Sequence, residues 1–179
     1  MSLLTITDVN DATGDTKAIY EEIQSAFGMI PNGIKQWSVN PKAMRIVWNT
    51  IKQRLSLDKE SQKLHTIIRY LVSDESNCTY CKGFNGSILI SMYGMSEDDL
   101  VVIKQDNSKA PLEEKNKALL LFAMKSMNDA DSVNAQDIAT MKALGISEFE
   151  MFDIVHAASS MLVANTLFKT FKVEQDYQI

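Results

Sequence analysis

The sequence predicts an all-α protein. Glycine and proline are scarce, at seven and three of 179 residues. Apolar residues recur at helical spacing along the chain, and the period-two alternation of strands is hard to find. A first helix spans roughly Asp15 to Phe27. The loop Gly28-Met29-Ile30-Pro31-Asn32-Gly33 follows, then a short helix from Ile34 to Trp37. Asn40 before Pro41 reads as an N-cap with proline at the first helical position. Met44, Val47, Trp48, Ile51 and Leu55 then form one apolar stripe. Leu64, Ile67, Ile68, Leu71 and Val72 form the next. Pro111 opens a helix carrying Ala118, Leu119, Leu121, Phe122 and Met124, and a long apolar helix runs from about Ser147 to Phe171.

No Ser/Gly-rich linker or charge block divides the chain, so residues 1–179 read as one domain, with a helical extension over 1–40 and a core over 41–172. Within that core, Gly94-Met95-Ser96-Glu97 and Gly145-Ile146-Ser147-Glu148 repeat one pattern. In each, a left-handed glycine ends one helix and a serine caps the next, with Asp99 or Glu150 completing a capping box. Upstream, Leu57-Asp58-Lys59-Glu60 and Leu112-Glu113-Glu114-Lys115 each introduce an apolar helix. The pattern fits either a duplicated helix–connector–helix–turn–helix unit or two sharp turns that converged.

Eighteen basic and 23 acidic residues give a formal net charge of −5, which argues against nucleic acid and anionic membranes as default partners. The longest apolar run, Ala118–Met124, is far below the ~20 residues that span a bilayer. The first residues lack the basic and apolar regions of a secretory signal, and the expected location is the cytoplasm. Two cysteines exclude a disulfide-rich secreted scaffold.

Those two cysteines carry the chemistry. Cys78 and Cys81 lie three apart in Asn77-Cys78-Thr79-Tyr80-Cys81-Lys82. At that spacing one sulfur can attack and the other resolve the product as a small-ring disulfide. Zinc would need further ligands, and the soft candidates His65 and His156 form no ligand pair, so no metal is expected. Inert buried cysteines are the other alternative. Cys78, Cys81, Asn85, Ile88, Leu89 and Met92 are spaced along one helical face. Both sulfurs would sit near a helix N-terminus, which favours thiolate. Lys82 points about 100° away around the helix, while Asp74 and Glu75 oppose a nearby thiolate unless one accepts its proton.

This segment resembles the alkylhydroperoxidase D-like (AhpD-like) peroxidase branch of the carboxymuconolactone decarboxylase superfamily. The resemblance runs from about Tyr20 onward. It includes Ala26-Phe27-Gly28-Met29-Ile30-Pro31-Asn32, Pro41 to Trp48, Leu71-Val72-Ser73 and the turn Leu144-Gly145-Ile146-Ser147. It implies a helical fold with an internally duplicated core and a homo-oligomer, a trimer or a hexamer built from trimers. It implies a hydroperoxide substrate and no cofactor. Cys81 would attack the peroxide, Cys78 would resolve the sulfenic acid, and a dithiol such as a lipoyl domain would restore both.

Two positions depart from the family pattern. Asn85 stands where a relay histidine is expected, four residues after the second cysteine, and Thr66 stands where a glutamate is expected, twelve before the first. An amide cannot take a thiol proton. Asn85 is therefore expected to line the site, with impaired proton transfer. Glu75, Tyr80 and His65 are the candidate substitutes. His65 is expected to be solvated or interfacial, His156 to be a core histidine, and the ten methionines to fill the core and interfaces. The alternative functions are an inactive or ligand-binding helical oligomer and decarboxylase-type chemistry.

Overall fold

The structure, a computed structural model, describes residues 2–177. Helices α1 (Gly14–Phe27), α2 (Asn32–Gln36) and α3 (Pro41–Leu55) form the N-terminal third. They are followed by α4 (Lys59–Glu75), α5 (Thr79–Tyr93), α6 (Glu97–Gln105), α7 (Glu114–Asn128), α8 (Ala135–Ala143) and α9 (Glu148–Thr170). No strand occurs among the described residues.

The ends of these helices follow local chemistry. The Asn40 side chain accepts from the Ala43 N–H, with Pro41 at the first helical position. Asp58 caps α4 through the Ser61 N–H. Both expected capping boxes form, Ser96 with Asp99 and Ser147 with Glu150. A third, Asn134 with Asp137, opens α8, a helix whose apolar stripe is too sparse to set its bounds from sequence. Gly94 and Gly145 take φ values of 67° and 71°, the left-handed turn that a side chain disfavours. One boundary differs: Pro111 does not open a helix, because α7 begins at Glu114 with Glu113 as its N-cap.

The connection pattern of α4, α5 and α6 recurs in α7, α8 and α9, with the long final helix in the second unit. The main core gathers α4, α5, α7 and α9 around Ile67, Leu89, Leu120, Ala158 and Met161. A second cluster packs the α3 stripe (Met44, Trp48 and Ile51) against Ile19, Tyr20 and Ile23 of α1. Helix α9 crosses the main core and is long and apolar enough to span a membrane, yet about 33% of its apolar window is buried against the other helices. Its open side carries Phe149, Phe152, Leu162 and Val163.

Candidate active site

The site is built on the turn from α4 to α5. Asn77 adopts φ 52°, a conformation that asparagine tolerates better than most residues. The Cys78 N–H then bonds back to the Ser73 carbonyl at 2.9 Å, so Cys78 becomes the N-cap of α5 with Cys81 one turn inside it. Helix α9 holds this turn. Asn165 donates to the Val72 carbonyl at 3.3 Å and accepts from the Ser73 hydroxyl at 3.1 Å, while Lys169 donates to the Ser76 carbonyl at 2.7 Å.

Both cysteines are free thiols, each only 2% exposed. Interaction with the Cys81 side chain is the largest cause holding the Cys78 pKa at about 7, against burial, with help from the Cys81 amide and the Lys169 charge. The same interaction and burial raise Cys81 well above an ordinary thiol, opposed by the Arg69 charge. The pair therefore carries its first negative charge on Cys78 and retains its proton on Cys81. Tyr93 ends α5 near Thr66 and Arg54.

A covering layer lies over the start of α5. Tyr80 is buried between Phe84, Phe168 and Tyr177, with ring centroids 5.9, 5.5 and 5.7 Å away. Its hydroxyl accepts from the Gly33 N–H at 2.8 Å and donates to the Asp176 carboxylate at 3.1 Å. That carboxylate also accepts from the Asn32 N–H. The Tyr177 hydroxyl donates to the Thr79 carbonyl at 3.1 Å. Its ring passes over Gly83, where an added Cβ would lie 2.0 Å from the Tyr177 oxygen. Gly83 therefore leaves room for the tail.

The structure redistributes the expected site residues. Asn85 is buried, but it ties α5 to α4 rather than lining the sulfur with its amide. It donates to the Cys81 carbonyl at 2.7 Å and accepts from Arg69 Nε at 3.1 Å. Arg69, which sequence reasoning passed over, lies one turn beyond Thr66 on the same side of α4. Thr66 is buried and returns its hydroxyl to the Gln62 carbonyl at 2.8 Å. Tyr80 serves the tail and α2, as described. Glu75 is exposed, and its carboxylate accepts from the Asn128 side chain of α7 at 3.4 Å, while burial raises its pKa. His65 is partly buried rather than solvated. Burial, then the charge of Arg54, lowers its pKa to about 4, which makes it a weak base. His156 is exposed and stacks on Phe152 at 6.4 Å, contrary to the core position expected of it. Lys82 pairs with Asp74 at 3.1 Å, and Met92 is 59% exposed, so the buried stripe ends at Leu89.

Among the surface clefts, one of about 240 Å³ lies behind the α4–α5 turn, between Ser76, Asn165 and Lys169. Another, about 400 Å³, lies against α1 between Lys17, Tyr20 and Ile30. No cysteine lines either, and both cysteines are buried.

No family model matches the chain, and no curated protein matches it in sequence. Solved structures match its fold. An uncharacterised peroxidase-related protein with an alkylhydroperoxidase AhpD core, from Ralstonia eutropha JMP134, is 19% identical. The match has a TM-score of 0.82 over 98% of this chain and 92% of that one. A peroxidase-related protein from Silicibacter sp. TM1040 is 18% identical, with a TM-score of 0.81 over the same shares of each chain. The debrominase Bmp8, as a cysteine-to-alanine variant in complex with 2,3,4-tribromopyrrole, is 17% identical, with a TM-score of 0.72 over 98% of this chain and 94% of that one. The chain has the AhpD-like all-α fold that its sequence resemblance implied.

Proposed function

We propose that the chain is a thiol-dependent peroxidase or disulfide oxidoreductase that works through Cys78 and Cys81. The observation that supports this most is the pair of buried free thiols, Cys78 capping a helix and Cys81 one turn inside it. With Cys78 deprotonated near pH 7 and Cys81 held well above an ordinary thiol, Cys81 becomes the nucleophile only in the minor form in which its proton has passed to Cys78, a transfer for which the family pattern places a histidine. Cys81 then attacks the terminal oxygen of a hydroperoxide. The O–O bond breaks, the alkoxide leaves and takes a proton from water, and Cys81 becomes a sulfenic acid. The Cys78 thiol attacks that sulfur, and the sulfenic hydroxyl departs with the Cys78 proton as water. A disulfide remains. A dithiol reductant, such as a lipoyl domain, returns the pair to thiols by exchange and is itself oxidised to a disulfide.

The open apolar side of α9, with Phe149 and Phe152 77% and 76% exposed, supports self-association as a homo-oligomer. Light scattering of a Phe149→Glu, Phe152→Glu variant tests this; an unchanged mass means the face is not the contact.

The experiment for the activity is single-turnover oxidation of the reduced protein by cumene hydroperoxide, followed by thiol count and intact mass. The expected result is loss of both thiols, with a sulfenic acid trapped on Cys81 in the Cys78→Ser variant. Thiol loss no faster than that of a free cysteine at the same pH overturns the reading in favour of a ligand-binding oligomer. Activity on a lactone that survives replacement of both cysteines by serine would point to decarboxylase-type chemistry instead.

A further inference from the structure

Two neighbouring arginines, of which Arg69 lies beside Cys81, have no carboxylate partner among the described residues. Arg54, in the last turn of α3, makes no side-chain hydrogen bond or ion pair with any described residue, and Arg69 uses only its Nε, toward Asn85. Both are partly buried. By contrast, Arg45 on the outer surface of the same α3 bonds both Asp15 and Glu22. No buried side-chain nitrogen among the described residues lacks a partner, so the free N–H groups of both reach water, where an anion can meet them.

Backbone geometry brings the two together. Gln62 at the start of α4 donates to the Leu55 and Leu57 carbonyls at 3.1 and 2.7 Å, which fixes the end of α3 beside the α4 face bearing Thr66 and Arg69. The two charges repel: burial and then Arg69 lower the Arg54 pKa. His65 beside them stays neutral and adds no negative charge. Asp153 acts on His65 but lies beyond 4 Å of either guanidinium. Tyr93 and Thr66 add hydroxyl groups at the α5 side. From this cluster, Arg69 leads through Asn85 to the backbone carbonyl of Cys81, and its charge acts on the Cys81 thiol.

We infer that Arg54 and Arg69 form a carboxylate-binding subsite next to Cys81, and that the hydroperoxides this protein reduces carry a carboxylate. Two guanidinium forks present planar N–H donors suited to a carboxylate. An anion held there would bring a peroxide on the same short carbon skeleton to the Cys81 sulfur. The inference deepens the peroxidase reading and rests on it for the identity of the substrate, but the subsite itself does not require turnover.

The test has two arms. In the first, calorimetry compares hexanoate with hexanamide on the reduced, unmodified protein and on Arg54→Gln and Arg69→Gln variants. Hexanoate is expected to bind at least tenfold more tightly than the amide, and each variant to lose most of that difference. Equal binding of acid and amide overturns the subsite, as does a preference untouched in both variants. So does a loss of hexanoate binding on self-association, which would mean that a carboxylate of a second copy fills the site. In the second arm, kcat/KM is measured for a carboxylic-acid hydroperoxide and its methyl ester. An acid preference of at least tenfold that vanishes in Arg54→Gln supports the substrate class, and equal use of acid and ester overturns it. Arginine-dependent hexanoate binding without reduction of any hydroperoxide would leave the subsite standing and remove the peroxidase reading.

Discussion

Arg69 donates its Nε–H to the Asn85 side-chain oxygen across 3.1 Å, and Asn85 in turn donates to the carbonyl of Cys81. Asn85, at the position where the family pattern has a histidine, is thereby tied to a fixed positive charge. Its field favours thiolate on Cys81, against burial and the Cys78 charge. The arrangement can stabilise charge but cannot move a proton, which leaves proton movement to the sulfur pair itself.

Replacing Asn85 should therefore slow the reaction of Cys81. Asn85→Ala frees Arg69 and removes a charge-assisted hydrogen bond, so single-turnover thiol loss should fall roughly tenfold. Asn85→His should not restore a relay. Arg69 beside the new imidazole disfavours its protonated form, and the arginine loses its acceptor. A rate gain in Asn85→His would show instead that proton transfer limits the reaction and that Arg69 can be accommodated elsewhere.

The acidity of Cys78 depends first on Cys81. In the Cys81→Ala variant the thiol donor is lost while burial remains, so the pKa of Cys78 should rise from about 7 to the ordinary thiol range or above. The pH profile of iodoacetamide alkylation, read by intact mass, checks this. In the unaltered protein the rate should climb through about pH 7 as the thiolate forms, and in the variant the climb should move to higher pH. A profile unchanged by the substitution would mean that the helix terminus and Lys169 set the acidity.

Tyr177 packs over Gly83 at the start of α5, which predicts that the tail limits access to the thiols. Gly83→Ala places a methyl group where the Tyr177 ring now lies, 2.0 Å from its hydroxyl oxygen. The ring belongs to the tail beyond α9, so the tail should lift and the helix should stay. Alkylation of both cysteines should accelerate several-fold, and Tyr177→Ala should do the same without the clash. Far-ultraviolet circular dichroism should be unchanged in both. If alkylation stays at its original rate in both variants, the tail is not the barrier.

Much of the fold was legible because helix ends are written locally. Asn40 with Pro41 and the Gly-x-Ser-Glu turns each act within four residues and form as read, and Asp58 caps α4 in the stretch expected to introduce that helix. The cysteine pair was legible for the same reason. What escaped the sequence was long-range. Arg69 meets Asn85 across 16 residues and the tail meets Tyr80 across 96, and no periodicity encodes either. Signals existed nonetheless. Arg69 stands one turn from Thr66, on the face where the family pattern already failed. Gly83 lies inside a helix with no turn to make, which marks a close approach. His156 misled because apolar neighbours imply a core only when the whole helix circumference is covered, and one side of α9 is open.

The N-terminal helices are held to one another by an ion-pair network that acid should dissolve. Glu22 of α1 accepts from Lys52 at 2.8 Å, from Trp48 Nε1 at 2.6 Å and from Arg45 at 3.0 Å, all on α3. These bonds, Lys52 first, lower its pKa from 4.5 to about 2. Between those values the unfolded chain binds the proton more readily than the folded one. The stabilisation is therefore complete above about pH 4.5 and disappears as the pH falls toward about 2. The side chain is 39% exposed, so solvent screening limits each ion pair to about 1 kcal/mol or less. Glu22→Gln should accordingly destabilise the protein by about 1 kcal/mol at pH 7 in urea titration, and by progressively less as the pH is lowered. High salt should narrow the same gap at pH 7, because an exposed pair is screened. A gap that stays constant from pH 7 to pH 2.5 would show that Glu22 acts through packing and the Trp48 hydrogen bond rather than through its charge.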